Sequence, residues 1–231
     1  MKIQKVSEVD FAPFVTEQIV ERIVDWQSKN AGLFRLGLTG GGSVKAVYNL
    51  LGQSLGIDWQ RVILILTDER FVKPTHADSN LGMIADNLLM YIDLPEENLL
   101  FFDTDEGAKI PKSLELMSEQ LMSLVQERQP LFDLLLLGVG EDGHIASLFP
   151  VRLTTDAASY TEFAEAPPTL AVKERLSLTF QALKSSQEIF LLLKGEQKNE
   201  IFSRMQESGQ LPVQQLLAEK SEQITVVFGV N

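Results

Sequence analysis

Short apolar runs alternate with longer segments of helical periodicity along this chain. Residues 34–38, 62–66 and 131–137 have the length of strands, and the leucines at 134–137 are typical of a strand buried on both faces of a sheet. Strands that alternate with helices predict an α/β fold with a mostly parallel sheet. The predicted helices are residues 11–30, a segment after Ser43, residues 80–90, residues 114–125 and a segment through Ile201 and Met205. The predicted strands are residues 34–38, 62–66, 99–102, 131–137, 176–180, 189–193 and 224–228, and residues 154–168 are predicted to be a polar connection.

Three of the predicted strands are followed directly by a polar or glycine-rich segment that is predicted to be a loop. These segments are TGGGS at residues 39–43, TDER at 67–70 and GVGEDGH at 138–144. Helical crossovers between parallel strands place such segments along the same edge of the sheet. Because open α/β sheets bind ligands at the carboxyl ends of their strands, the pattern predicts one shared pocket.

The TGGGS segment has the composition of a phosphate cradle. Glycines allow close approach of the backbone, and Ser43 is predicted to cap the helix that comes next. The free N–H groups and the dipole of a helix start both favour a phosphate. The segment lacks the lysine of a Walker loop, and a tight connecting turn is the alternative interpretation.

The GVGEDGH segment is open to three interpretations. Acidic residues and His144, set among glycines at the end of a buried strand, favour a catalytic site. The G-x-G-x-x-G spacing from Gly138 also matches the dinucleotide fingerprint, but Pro150 leaves only about two helical turns where that motif needs a full helix. The third interpretation is a turn that holds a structural histidine.

Composition narrows the possible functions. A net charge of −12 over 231 residues argues against nonspecific nucleic-acid binding, although local cations can still surround a small anion. The absence of cysteine excludes disulfides and thiol nucleophiles, and His76 and His144 alone do not favour a metal site. We expect a single domain over residues 1–231, in the cytoplasm, because the chain shows neither a membrane-length apolar stretch nor a secretory signal.

The motifs together carry a family resemblance. TGGGS, TDER with Ser79-Asn80, GVGEDGHIASLFP at 138–150, RLSLT at 175–179 and KGEQK at 194–198 resemble 6-phosphogluconolactonases, in that family's order and over nearly the whole chain. Related glucosamine-6-phosphate deaminases carry Phe, Asn and Glu after the His-Ile-Ala. Here Ser147, Leu148 and Phe149 stand there instead, which favours the lactonase.

The resemblance implies a fold and an activity. The expected fold is a three-layer α/β/α sandwich with a Rossmann-like, mostly parallel sheet. The expected reaction is hydrolysis of 6-phospho-D-glucono-1,5-lactone to 6-phospho-D-gluconate, the second step of the oxidative pentose phosphate pathway, with no cofactor and no metal. The expected partner is this small phosphorylated sugar lactone, with no nucleic acid and no membrane.

The resemblance also assigns roles to single residues. His144 falls on the family's catalytic histidine, and neutral imidazole suits a general base because the ordinary pKa of histidine, about 6.5, lies near working pH. Asp68 or Asp142 would orient the imidazole, and the sequence leaves both open. Backbone N–H groups of a glycine loop, or Arg70, would stabilise the oxyanion. The predicted substrate-binding residues are Gly41, Gly42, Ser43, Arg70, Gly140, Arg175 and Lys198, of which Ser43, Arg175 and Lys198 would hold the phosphate.

Two functions from other classes stay open. A sugar-phosphate isomerase–deaminase on the same fold would release ammonia from glucosamine 6-phosphate. A non-catalytic sugar-phosphate sensor would carry a DNA-binding helix-turn-helix, for which residues 1–30 are too short and too acidic.

Overall fold

The computed structural model describes residues 1–150 and 159–231. Its strands are β1 (Lys2–Val6), β2 (Phe34–Leu38), β3 (Val62–Leu66), β4 (Asp68–Arg70), β5 (Leu99–Leu100), β6 (Phe132–Gly138), β7 (Thr161–Glu165), β8 (Glu174–Leu178), β9 (Ser186–Lys194) and β10 (Ile224–Gly229). Its α-helices are α1 (Phe11–Lys29), α2 (Lys45–Gly52), α3 (Asn80–Asn87), α4 (Ile110–Glu127), α5 (Phe180–Lys184), α6 (Asn199–Arg204) and α7 (Pro212–Lys220).

The main sheet has seven strands in the order β1-β10-β9-β6-β2-β3-β5, and every neighbouring pair is parallel. Side chains alternate between its two faces with the two-residue period of a strand. In β3, for example, Ile63 and Ile65 belong to the apolar cluster that contains residues of α4 and α7, whereas Val62 and Leu64 belong to the cluster that contains residues of α1, α2 and α3. The helices therefore cover both faces, and the predicted three-layer α/β/α sandwich with a parallel sheet is confirmed.

A small antiparallel sheet, in the order β4-β8-β7, lies at the carboxyl end of the main sheet. It is joined there through Thr67, whose N–H donates to Leu38 and whose carbonyl accepts from Leu178 N–H. The TDER segment, expected to be loop, thus contains strand β4. Its register places Asp68 opposite Ser177 and Arg70 opposite Arg175.

The apolar pattern locates the buried strands well and the exposed ones poorly. Strands β2 and β3 have the predicted bounds, whereas β1, an exposed edge strand, and helices α5 and α7 were not predicted. The polar connection predicted at 154–168 is wrong where β7 lies, and its residues up to 158 are outside the described part of the chain. The strand predicted at 176–180 ends at Leu178, because Thr179 accepts from Ala182 N–H and caps α5. The strand predicted at 99–102 is also shorter, and α3 ends at Asn87 before a 3₁₀ turn.

Within residues 1–150 and 159–231, no helix is both long enough and apolar enough to cross a membrane.

Candidate active site

A cleft of about 810 Å³ opens at the carboxyl ends of β2, β3, β6 and β9. The three segments singled out in the sequence, TGGGS, TDER and GVGEDGH, all contribute to its wall, so the predicted convergence at one sheet edge is confirmed. The segment after β9 completes the wall. The side chains that line the cleft and can carry a charge are Glu8, Asp68, Arg70, Glu141, Asp142, His144, Lys194 and Lys198.

The imidazole of His144 is paired with the carboxylate of Asp142. The Nδ1 atom lies 2.6 Å from Asp142 Oδ1, which also accepts the backbone N–H of His144 at 3.2 Å. Burial alone would raise the pKa of Asp142, but the hydrogen bonds and charge of His144 prevail and lower it below its ordinary value. An ionised Asp142 accepts the Nδ1 proton, which leaves Nε2 of a neutral imidazole with its lone pair. Of the two aspartates left open by the sequence, Asp142 is the one in contact with the histidine.

The backbone around His144 fixes the position of the ring. Gly140 N–H donates to His144 O at 2.9 Å, and a Cβ on Gly140 would lie 2.1 Å from Nδ1 of the imidazole. Only a glycine leaves room for the ring there. On its other side the imidazole packs against the buried Phe149, with ring centroids 4.9 Å apart. The structure describes the chain as far as Pro150 without a helix after this segment, so the dinucleotide fingerprint lacks the element that it requires.

Asp68 lines the same cleft but belongs to a different network. Ser147 Oγ donates to its Oδ2 at 2.7 Å, and Thr67 Oγ1 donates to its Oδ1 at 3.3 Å. Ser147 comes directly after Ala146, whose φ of +49° is in the left-handed region. This bend turns the chain back so that Ser147 N–H also donates to Ser177 Oγ at 3.2 Å. The neighbouring Glu69 is fully buried and caps α3 through the N–H groups of residues 80 and 81, so it does not line the cleft.

Two helix starts face the cleft. The TGGGS segment turns at Gly41, where φ is +105°, into a 3₁₀ turn and then α2. The segment after β9 turns in the same way at Gly195, where φ is +97°, into a 3₁₀ turn and α6. No side chain among residues 1–150 and 159–231 caps either helix start. The first N–H groups of a helix have no acceptor within the helix itself, so a ligand in the cleft can bind them. The prediction that Ser43 caps the helix is therefore wrong: Ser43 lies inside the 3₁₀ turn and lines the cleft.

The predicted phosphate ligands lie in different environments. Lys198 lines the cleft, half-buried, and its Nζ donates to Val139 O at 2.9 Å. Burial lowers the pKa of Lys198, while the nearby carboxylates of Glu141 and Asp142 oppose that shift. Arg175 is 6% exposed and does not line the cleft; its Nε donates to Val172 O at 3.2 Å. Arg70, directly opposite on β4, does line the cleft, and its Nη1 donates to Asp78 O at 2.7 Å.

Not every N–H of the glycine segments is available to a ligand. Gly140 N–H is bonded to His144 O, and Gly138 N–H is bonded to Thr39 Oγ1. Gly140 therefore lines the cleft without a free donor, whereas the N–H groups at the start of the α2 turn remain open. His76 lies in an exposed loop and does not line the cleft.

Sequence reasoning missed three charged residues of the cleft wall. Lys194 ends β9, and Glu8 comes shortly after β1, which the apolar pattern does not show. Glu141 directly precedes Asp142, and the sequence assigns it no role. The signal that could have revealed Lys194 is the strand-glycine-helix pattern shared with TGGGS. Among residues 1–150 and 159–231, no group of three or more His, Asp or Glu is arranged to hold a metal ion.

Comparison with known proteins is consistent with this geometry. Residues 7–226 match the family described as glucosamine-6-phosphate isomerases/6-phosphogluconolactonase. A 6-phosphogluconolactonase of Neisseria meningitidis serogroup A is 33% identical over 173 residues, which cover 73% of this chain and 72% of the relative. A crystal structure of 6-phosphogluconolactonase from Thermotoga maritima has a TM-score of 0.86 at 26% identity and covers 100% of this chain and 99% of that one. A monomeric glucosamine-6-phosphate deaminase, at 20% identity and a TM-score of 0.81, shares the fold over 99% of this chain and 97% of its own.

Proposed function

The chain belongs to the glucosamine-6-phosphate isomerase/6-phosphogluconolactonase family, and from this membership we propose that it hydrolyses 6-phospho-D-glucono-1,5-lactone to 6-phospho-D-gluconate. In metabolism this would be the second step of the oxidative pentose phosphate pathway. The observation that carries the proposal is the His144–Asp142 pair, held at the rim of a cleft that also presents lysines and open helix starts. A base and an anion site within one cleft are what hydrolysis of a phosphorylated lactone requires.

In the proposed reaction, His144 acts as the general base. Nε2 takes a proton from a water molecule as the water oxygen attacks C1 of the lactone, and an oxyanion forms on the carbonyl oxygen. Asp142 stabilises the imidazolium that results. The oxyanion then collapses, the bond between C1 and the ring oxygen breaks, and the imidazolium returns its proton to that oxygen. Such proton transfer accelerates a reaction by about 10² to 10⁴.

The oxyanion and the phosphate need different partners. Arg70 lines the cleft beside the buried Asp68, and we assign it to the developing oxyanion in preference to Gly140, whose N–H is already bonded. The open N–H groups at the start of the α2 turn, together with Ser43 and Lys198, would hold the phosphate. Fixing this remote group positions the ring and places C1 beside the base.

Arg175 has a different place in this proposal from the one expected from sequence. It is buried behind Arg70 and raises the positive potential at that position without lining the cleft. Asp68, held by Ser147, presents a carboxylate suited to accept a hydroxyl of the sugar ring. In the proposal, Arg175 therefore acts through Arg70, whereas Asp68 contacts the substrate directly.

The direct experiment measures acid release from freshly generated 6-phosphogluconolactone against its spontaneous hydrolysis. We expect the protein to accelerate hydrolysis strongly. Acceleration should be much weaker for the unphosphorylated lactone, because the contacts with the phosphate are lost. Equal rates with and without protein would overturn it. Release of ammonia from glucosamine 6-phosphate would instead assign the deaminase activity of the same family.

A further inference from the structure

The cleft contains carboxylates that the proposed chemistry does not use. Asp142 orients the base and Asp68 is held by Ser147, but Glu8 and Glu141 line the cleft with no ion pair or hydrogen bond from any residue that the structure describes. A dianionic substrate is repelled by both. These free carboxylates therefore weaken binding of the substrate. Their presence in an anion-binding cleft calls for another purpose.

Glu141 lies in the turn that carries the base. It precedes Asp142 directly, its side chain is exposed to the cleft, and its charge acts on Lys198 across the same space. C1 of the lactone must lie within reach of His144 for the base to act on the attacking water. The carboxylate of Glu141 is therefore on the side of the cleft where the chemistry takes place.

The reaction changes the charge at that position. In the lactone, C1 belongs to a neutral ester. After water adds and the ring bond breaks, C1 becomes a carboxylic acid that loses its proton to solvent at neutral pH. The product keeps the phosphate of the substrate and gains one negative charge at C1.

We infer that Glu141 discriminates against the product: its carboxylate repels the new C1 carboxylate and speeds release of 6-phosphogluconate, while it affects the neutral C1 of the substrate little. The inference rests on the proposed function. Repulsion between two like charges in a water-filled cleft, weakened by the high dielectric constant of water, changes an affinity by about three-fold. Product inhibition is the property that this effect would reduce.

The test compares two stable ligands that share the phosphate and differ at C1. Glucose 6-phosphate is neutral at C1, and 6-phosphogluconate carries the carboxylate. Calorimetry gives the Kd of each for the native protein and for Glu141→Gln, a substitution that keeps size and removes charge. The ratio of the two Kd values is then compared between the native protein and the variant. This comparison isolates the interaction at C1, because effects of the substitution on the shared phosphate cancel in the ratio.

We expect Glu141→Gln to tighten 6-phosphogluconate by about three-fold more than glucose 6-phosphate, and to lower the Ki for product inhibition in parallel. Glu196→Gln is the matched control, since Glu196 is exposed on the same rim but does not line the cleft, and it should leave the ratio unchanged. An unchanged ratio in Glu141→Gln, or equal tightening or weakening of both ligands, would overturn the inference. A native protein that does not hydrolyse the lactone would instead refute the proposed function.

Discussion

Nδ1 of His144 lies 2.6 Å from Oδ1 of Asp142, and the same oxygen accepts the backbone N–H of His144 at 3.2 Å. One carboxylate oxygen therefore fixes both the tautomer of the ring and the turn from which the ring projects. This double contact explains why an Asp-Gly-His sequence can orient an imidazole without a carboxylate from another element of the chain.

Asp142→Asn should lower kcat by about 10- to 100-fold, less than the loss of the base itself. An amide can still hold the turn, but it does not stabilise the imidazolium by charge. Steady-state kinetics of both proteins at saturating substrate check this, and an unchanged kcat in Asp142→Asn would contradict the pairing.

The His144–Asp142 pair should also make the stability of the fold depend on pH. The folded-state pKa of Asp142 lies below its ordinary value, so its ionised form contributes stability at pH values above about 4, the unfolded pKa. That contribution is lost as pH falls through the folded pKa. The difference in unfolding free energy between the native protein and Asp142→Asn should therefore shrink below about pH 4, as measured by denaturant titration.

Gly140→Ala should remove most activity while the fold persists. The added Cβ would lie 2.1 Å from His144 Nδ1 and 2.6 Å from Asp142 Oδ1, so the His144–Asp142 pair must move. A displacement of about 1 Å can cost about 100-fold in rate. Gly32→Ala, where the new Cβ would meet its nearest atom at 3.6 Å, is the matched control. Retained activity in Gly140→Ala would show that the pair tolerates displacement.

Ser147→Ala should destabilise the protein by about 1.5 to 3 kcal/mol, because it removes a hydrogen bond to a buried carboxylate. Ser147 is 1% exposed, and Asp68 is 6% exposed. Ser54→Ala removes an exposed hydroxyl that donates to Leu50 O and should cost much less. Equal midpoints of urea unfolding for the two variants would show that the hydrogen bond from Ser147 to Asp68 does not stabilise the fold.

Binding of 6-phosphogluconate should weaken as pH rises toward 10. Burial lowers the pKa of Lys198, so Lys198 loses its positive charge at a lower pH than an exposed lysine does. A bound phosphate favours the ammonium form, and binding in this range should therefore take up protons. Calorimetry in buffers of different ionisation enthalpy measures the uptake. Lys198→Met should abolish it, and the exposed Lys29→Met should leave it intact.

The sequence predicts the parts of the fold and site that depend on buried apolar runs and on the polar segments directly after them. Strands β2 and β3 are short apolar segments, and the position of the cleft depends on parallel strands that end at one edge. By contrast, β1 has mostly exposed side chains, so its place at the sheet edge and that of Glu8 in the cleft depend on pairing with β10.

Contacts within the site were less predictable than its location. The choice between Asp142 and Asp68 depends on a turn only a few residues long, and Asp68 is directed to Ser147 by the left-handed bend at Ala146. The register of β4 against β8 places Arg70 in the cleft and Arg175 behind it. No periodicity in the sequence encodes that register.

The central claim, that a single imidazole activates water against the phosphorylated lactone, is tested most directly by His144→Ala beside His76→Ala. His76 is half-exposed in a loop outside the cleft and controls for the loss of a histidine. We predict that His144→Ala lowers kcat by about 10² to 10⁴ with little change in KM, and that His76→Ala retains native turnover. Near-native turnover in His144→Ala would contradict the claim.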